Sequence, residues 1–118
     1  MYDLGLKDKV ILITGGSDGL GYASAELLSS EGAHVVICGR RGDYLHEKAK
    51  IITEKTSNEV LPIKADVSNA DDCKKLVEGT IAKYKKIDVL VNNAGASAAA
   101  LFEDVTDKNW EDDINLKL

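Results

Sequence analysis

Four short apolar runs punctuate the chain: Val10-Ile11-Leu12-Ile13, His34-Val35-Val36-Ile37-Cys38, Val60-Leu61-Pro62-Ile63 and Val89-Leu90-Val91. They are near-continuous and rich in β-branched residues instead of alternating with polar ones. Strands buried on both faces by flanking helices require that pattern. Between them the period lengthens to that of helices. Leu20, Ala23, Leu27 and Leu28 share one face of a first predicted helix, and Gly32 suits a left-handed cap just past its end. Leu45, Ala49 and Ile52 mark a second helix, and Cys73, Leu76, Val77, Thr80 and Tyr84 a third. The order β-α-β-α-β-α-β predicts an α/β fold with a parallel sheet and right-handed crossovers. Pro62 cannot donate to a sheet ladder, so the third strand belongs at an edge. That placement fits a doubly wound sheet of order 3-2-1-4 in a three-layer α/β/α arrangement. After Val91 the small residues of 94–100 read as a loop, and Thr106, followed by Asp107, can cap a last helix.

Length and charge narrow the classes. At 118 residues with 44% hydrophobic content, the chain supports one compact core, and residues 1–118 are expected to form a single domain. Its 30% charged residues are mixed in sign with a net charge of -5, and no Lys/Arg run forms a nucleic-acid footprint. Cys38 and Cys73 have neither Cys-x-x-Cys nor Cys/His spacing, so no disulfide framework and no metal site is expected. They read as small apolar core residues in a reducing compartment. No signal-peptide pattern opens the chain and no apolar run has the length of a membrane span, so a soluble cytoplasmic protein is expected.

The chemistry-bearing feature is the turn Thr14-Gly15-Gly16-Ser17-Asp18-Gly19-Leu20-Gly21, set between a buried strand and an amphipathic helix. Glycines 15, 19 and 21 answer three physical needs. The first allows a tight turn, the second lets backbone approach a pyrophosphate, and the third lets helix and strand pack closely. Backbone N–H groups at the helix start then meet phosphate with the helix dipole behind them. A nicotinamide dinucleotide is the expected ligand.

The spacing T-G-x-x-x-G-x-G resembles the short-chain dehydrogenase/reductase family more than the tighter G-x-G-x-x-G of other dinucleotide folds. Further signatures follow in family order. Asp66-Val67 closes the third strand, where the resemblance implies an acidic residue at the adenine end. Asn92-Asn93-Ala94-Gly95 closes the fourth, where the family's N-N-A-G stabilises the sheet centre and lines the cofactor cleft. Trp110 and Asn115 resemble the segment carrying the family's active-site asparagine. Taken singly, Asp66 could be a strand-end turn former, the asparagine pair another turn, and Asn115 a solvated helix residue. Together and in register they imply a Rossmann-type domain. The cofactor residues carried over are Thr14, Gly15, Ser17, Asp18, Gly19, Leu20, Gly21, Asp66, Val67, Asn93, Ala94 and Gly95.

An NAD-selective fold places an acid at the end of the second strand to bind the ribose hydroxyls. Gly39 stands there instead, followed by Arg40 and Arg41. Guanidinium forks suit a 2′-phosphate, so NADP(H) is favoured over NAD(H). Asp18 pulls the other way, because its carboxylate could repel that phosphate. A solvated arginine pair opening a loop is the plainer alternative for Arg40 and Arg41.

Family catalysis needs a Ser and a Tyr-x-x-x-Lys after the fifth strand, and this sequence ends at Leu118. Tyr44-x-x-x-Lys48 matches literally but follows the second strand, near the adenosine end, and reads as ordinary helix flank. Asn115 is then the only member of the catalytic set present, and alone it exchanges no proton with substrate. The helical pattern runs out at 115–118 without a stop signal, so a chain truncated before the fifth strand is expected. Such a sheet would leave its fourth strand an open edge. The leading expectation is the NADP(H)-binding part of an oxidoreductase that interconverts a carbonyl and a secondary alcohol, inactive as this chain alone. The alternative is a non-catalytic dinucleotide-binding or subunit-interaction module. Substrate and association into a homo-oligomer stay open at this point.

Overall fold

The computed structural model describes residues 5–17 and 19–93. It contains β1 (Val10–Thr14), α1 (Gly19–Ser30), β2 (His34–Gly39), α2 (Gly42–Thr56), β3 (Val60–Lys64), α3 (Ala70–Tyr84) and β4 (Val89–Val91). The strands form one parallel sheet of order β3-β2-β1-β4. Pro62 lies on the edge strand β3, opposite Ile37. The predicted loop at 94–100 and the last helix near Thr106 lie outside the described residues.

Alternate side chains of the buried strands feed two cores. Ile11, Ile13, Val35, Ile37 and Val60 pack with Ala25, Leu45, Ala49 and Ile52 of α1 and α2. Leu12, Val36, Cys38 and Leu90 pack with Cys73, Leu76 and Val77 of α3. This is the three-layer arrangement, and it explains why the strands lack polar alternation. All five residues of β1 are buried, as a central strand between two helical layers must be.

The first helix turns a different face inward from the one its leucines predict. Gly21, Ala25 and Ser29 are buried, whereas Leu20 and Leu27 are 75% and 59% exposed and Ala23 is exposed. Leu28 alone of the predicted set packs partly against the core. The reason is steric. A Cβ on Gly21 would stand 2.3 Å from the Gly15 carbonyl oxygen, so the helix seats its small side chains where backbone approaches backbone. Ser29 is satisfied there by the Thr56 hydroxyl at 2.9 Å. Proximity, not hydrophobicity, selects the buried face.

The other helix ends follow local rules. Asn69 accepts from the Asp72 N–H and caps α3, while Ser57 and Lys85 close α2 and α3 in the left-handed conformation. Gly32, at φ +89°, follows α1 as its sequence position implied.

Asp88, unremarked in the sequence pattern, fastens the end of the sheet opposite the glycine turn. It is 6% exposed and accepts from the Val10 N–H at 2.8 Å, while its own N–H donates to the Val10 carbonyl at 2.9 Å. Lys86 Nζ lies 3.0 Å away. Burial pushes the carboxyl up, but the Val10 N–H and the Lys86 ammonium outweigh it and hold the group below its ordinary range. A depressed folded-state pKa gives stability that is present above the unfolded carboxylate value and lost as pH falls through the folded one. Asp88→Ala is expected to cost about 1–3 kcal/mol at pH 7 by leaving the Val10 N–H without this acceptor. Urea titrations at pH 7 and at pH 3 should show the gap between the two proteins narrowing in acid.

Candidate cofactor cleft

Parallel register brings the carboxyl ends of the strands level. Thr14 stands opposite Cys38, and Cys38 opposite Ile63, so the turns that follow open onto one edge of the sheet. In open α/β sheets such an edge is where ligands bind.

The glycine turn is tied down from three directions. The N–H groups of Gly15 and Gly16 both donate to the Cys38 carbonyl, at 3.1 and 3.3 Å, anchoring the turn to β2. Thr14, fully buried beneath it, accepts from the Asn93 N–H at 2.8 Å, and its hydroxyl lies 3.3 Å from Asn92 Oδ1. One hydroxyl thus ties the end of β1 to the residues leaving β4. Gly21 meets the same structure from above, since a Cβ there would lie 2.6 Å from Asn93 Nδ2.

Each glycine has its own job. Gly15 (φ +67°) and Gly19 (φ +55°) occupy the left-handed region, which non-glycine residues enter at a cost of about 1–2 kcal/mol. A Cβ on Gly19 would meet nothing within 4 Å, so the backbone there faces open space. Gly16 has neither property. A Cβ on it would strike Ile37 Cγ2 at 2.5 Å, so this glycine lets the turn lie flat on β2. Spacing singled out 15, 19 and 21 and passed over Gly16; the Gly-Gly pair directly after a buried strand was the available signal.

Beside the turn lies an open cleft of about 630 Å³ lined by Gly15, Ser17, Cys38, Gly39, Arg40, Arg41, Ala65, Asp66, Val67 and Ser68. Of the residues expected from sequence, Gly15, Ser17, Arg40, Arg41, Asp66 and Val67 are brought together here. Thr14, Gly21 and Asn93 brace the turn, and Leu20 is exposed at the start of α1. Asp18, Ala94, Gly95 and Asn115 lie outside the described residues. Cys38, Ala65 and Ser68 were not foreseen as lining residues.

The electrostatics divide the cleft. Asp66 Oδ1 accepts from the Ser68 hydroxyl at 2.7 Å and from the Ser68 N–H at 3.0 Å. The hydroxyl first, then the N–H, and finally the charge of Arg40 hold this carboxyl below its ordinary range against some desolvation. The turn-forming role that a strand-end aspartate suggests is therefore real, and it aims an ionised Asp66 at the cleft. Burial pushes the Cys38 thiol up to about 12, with the Gly15 N–H only partly opposing. At neutral pH it is a small apolar floor, not a nucleophile. Both cysteines are free and buried.

A family model described as short chain dehydrogenase matches residues 9–118. The chain belongs to the short-chain dehydrogenase/reductase family. It is 43% identical over 110 residues to the 11-beta-hydroxysteroid dehydrogenase-like 3 of Arabidopsis thaliana, covering 91% of this chain and 36% of that protein. It is 36% identical over 113 residues to a 3-oxoacyl-acyl-carrier-protein reductase of Chlamydia trachomatis, covering 96% of this chain and 46% of that protein. Among solved structures, the L-sorbose reductase of Gluconobacter frateurii in complex with NADPH and L-sorbose superposes with a TM-score of 0.77 at 41% identity. That match covers 80% of this chain and 36% of that one. The chain therefore spans between about a third and just under half of the length of these relatives.

As a short-chain dehydrogenase/reductase, the chain has its glycine turn and the Asn92-Asn93 pair just past the carboxyl ends of two neighbouring strands, β1 and β4. No helix of the described residues is long and apolar enough to cross a membrane. Tyr44 and Lys48 lie on α2 at the flank, with Lys48 Nζ 5.2 Å from the ring centres of both Tyr44 and Tyr22.

Proposed function

We propose that these 118 residues form a single NADP(H)-binding domain belonging to an oxidoreductase that interconverts a carbonyl and a secondary alcohol. One observation carries the choice of cofactor. At the end of β2, where a ribose-binding acid would stand, Gly39 is followed by two arginines, and all three line the same cleft as Gly15 and Asp66. The residues present fit a dinucleotide. The left-handed, unobstructed backbone at Gly19 leaves room for a pyrophosphate beside the start of α1.

In this reading Thr14, Gly15, Ser17, Asp18, Gly19, Leu20 and Gly21 form the phosphate turn, and Asp66 and Val67 hold the adenine end. Arg40 and Arg41 receive the 2′-phosphate, while Asn93, Ala94 and Gly95 line the path toward the nicotinamide. The bound nicotinamide would supply or accept hydride. This chain's residues bind and orient it, and Asn115 is the one member of the family's catalytic set among them. The resemblance puts the Ser and Tyr-x-x-x-Lys that would handle the substrate proton after a fifth strand, whereas the Tyr-x-x-x-Lys of these residues, Tyr44 to Lys48, lies on α2, so the chain by itself is expected to turn over no NADPH with a ketone panel. Its two buried free thiols suit a soluble protein of the reducing cytoplasm.

The test is a pair of dissociation constants, for NADP+ and NAD+, measured by calorimetry at one fixed low salt concentration. Charge-assisted contacts from the two guanidinium groups should make NADP+ tighter by roughly tenfold or more. Equal affinity would overturn the assignment.

A further inference from the structure

The Tyr44-x-x-x-Lys48 pair, set aside as a catalytic motif, lies on α2, the helix that opens directly after the cleft residue Arg41. Arg41 precedes α2, and its guanidinium carbon lies 4.2 Å from the centre of the Tyr44 ring one helical turn on. Lys48, a further turn along, brings its ammonium to 5.2 Å from the same ring and 5.2 Å from the ring of Tyr22 on α1. Arg41, Tyr44, Lys48 and Tyr22 thus form a chain of alternating cations and aromatic rings running from the cleft to the neighbouring helix. All three pairs fall within cation–π range.

The two arginines are not equivalent. Arg40 adds a favourable charge for the ionised Asp66 carboxylate, which lines the same cleft. Arg41 is exposed and makes no side-chain capping bond to α2, yet its guanidinium lies against a partly buried ring. A long exposed arginine normally samples many rotamers, and that freedom is lost on binding an anion. A ring that already holds the guanidinium removes part of the cost in advance.

We propose that Tyr44 is a positioning residue for cofactor selectivity: its ring holds the Arg41 guanidinium at the cleft rim, ready for a phosphomonoester on the ribose. The inference rests on the NADP(H) reading above and adds a residue outside the glycine turn and the strand ends. Tyr44 need not touch the cofactor. Its effect appears only with ligands that carry the extra phosphate.

The probes are adenosine 2′,5′-bisphosphate and 5′-AMP, which share every group except that phosphate, titrated by calorimetry into the whole chain. Tyr44→Leu should weaken the bisphosphate by about three- to fivefold, the equivalent of one exposed cation–π contact, and leave AMP within twofold. Tyr44→Phe keeps the ring and should bind both probes like the parent. In an Arg41→Ser background, Tyr44→Leu should have no further effect on the bisphosphate. An unchanged preference in Tyr44→Leu, equal weakening of both probes, or full additivity with Arg41→Ser would overturn the proposal. If Tyr44→Leu folds poorly, the Tyr44→Phe and Arg41→Ser proteins still decide: loss of the phosphate preference in Tyr44→Phe counts against a ring-based role. A parent chain that does not distinguish the probes would sink the NADP(H) assignment itself, an outcome separate from a parent that prefers the bisphosphate and a Tyr44→Leu variant that prefers it equally.

Discussion

Gly21→Ala is expected to be the most damaging alanine substitution among the described glycines. The new Cβ would stand 2.3 Å from the Gly15 carbonyl oxygen, 3.0 Å from its carbonyl carbon and 2.6 Å from Asn93 Nδ2. Two of those atoms are backbone, held by the Gly15 N–H bond to Cys38, so the clash cannot be relieved by a rotamer change. Relief requires α1 to lift from the sheet, which opens the contacts of Ala25 and Ser29 behind it. Overpacking of this kind costs typically about 1–3 kcal/mol, and an immovable backbone neighbour puts the expected value at or above the top of that range. For a chain of this size that is a fall in melting temperature on the order of 10–20 °C. Thermal denaturation followed by circular dichroism checks it. A change of less than about 3 °C would mean that α1 does not seat on the turn as described.

Gly19→Ala should separate stability from binding. Its Cβ would meet no described atom within 4 Å, and the cost to folding is that of the left-handed backbone alone, about 1–2 kcal/mol. Under the proposed function, the same methyl group projects into the space beside the start of α1 where the pyrophosphate would lie. Losing backbone hydrogen bonds to a charged group should weaken NADP+ by roughly 10- to 100-fold in a protein that remains folded. Calorimetric titration below the variant's melting temperature is the measurement. A folded Gly19→Ala protein that binds NADP+ like the parent would remove the phosphate turn from the proposed site. The contrast between the two alanines is the informative result: one glycine is required by the protein's own packing, the other by the ligand.

How legible each feature was depended on how local its cause is. The strands were readable because burial on two faces imposes a continuous apolar run, as in Val10–Thr14 and His34–Gly39. Pro62 told the edge position of β3 because a missing donor matters only within a ladder. Arg40, Arg41 and Asp66 could be placed together because parallel connectivity puts every strand's carboxyl end on one edge, whatever the details of packing.

Other features answer to neighbours distant in sequence. No periodicity in α1 reveals that Gly21, Ala25 and Ser29 face inward while Leu20 and Leu27 stay outside, because the Gly15 carbonyl dictates how near the helix may come. Gly16 owes its identity to Ile37, Asp88 its role to the Val10 N–H, and Cys38 its place in the cleft to the register with Thr14. Lys48 meets the Tyr22 ring only because α1 and α2 lie side by side. The sequence by itself determined the strand order, the family and the placing of Arg40, Arg41 and Asp66 at the sheet's carboxyl edge, since chain connectivity and burial pattern are encoded residue by residue. Only the tertiary structure decided which helix face is buried, which glycine yields to packing and which to open space, and that Lys48 reaches the Tyr22 ring, because each depends on the distance between atoms far apart along the chain.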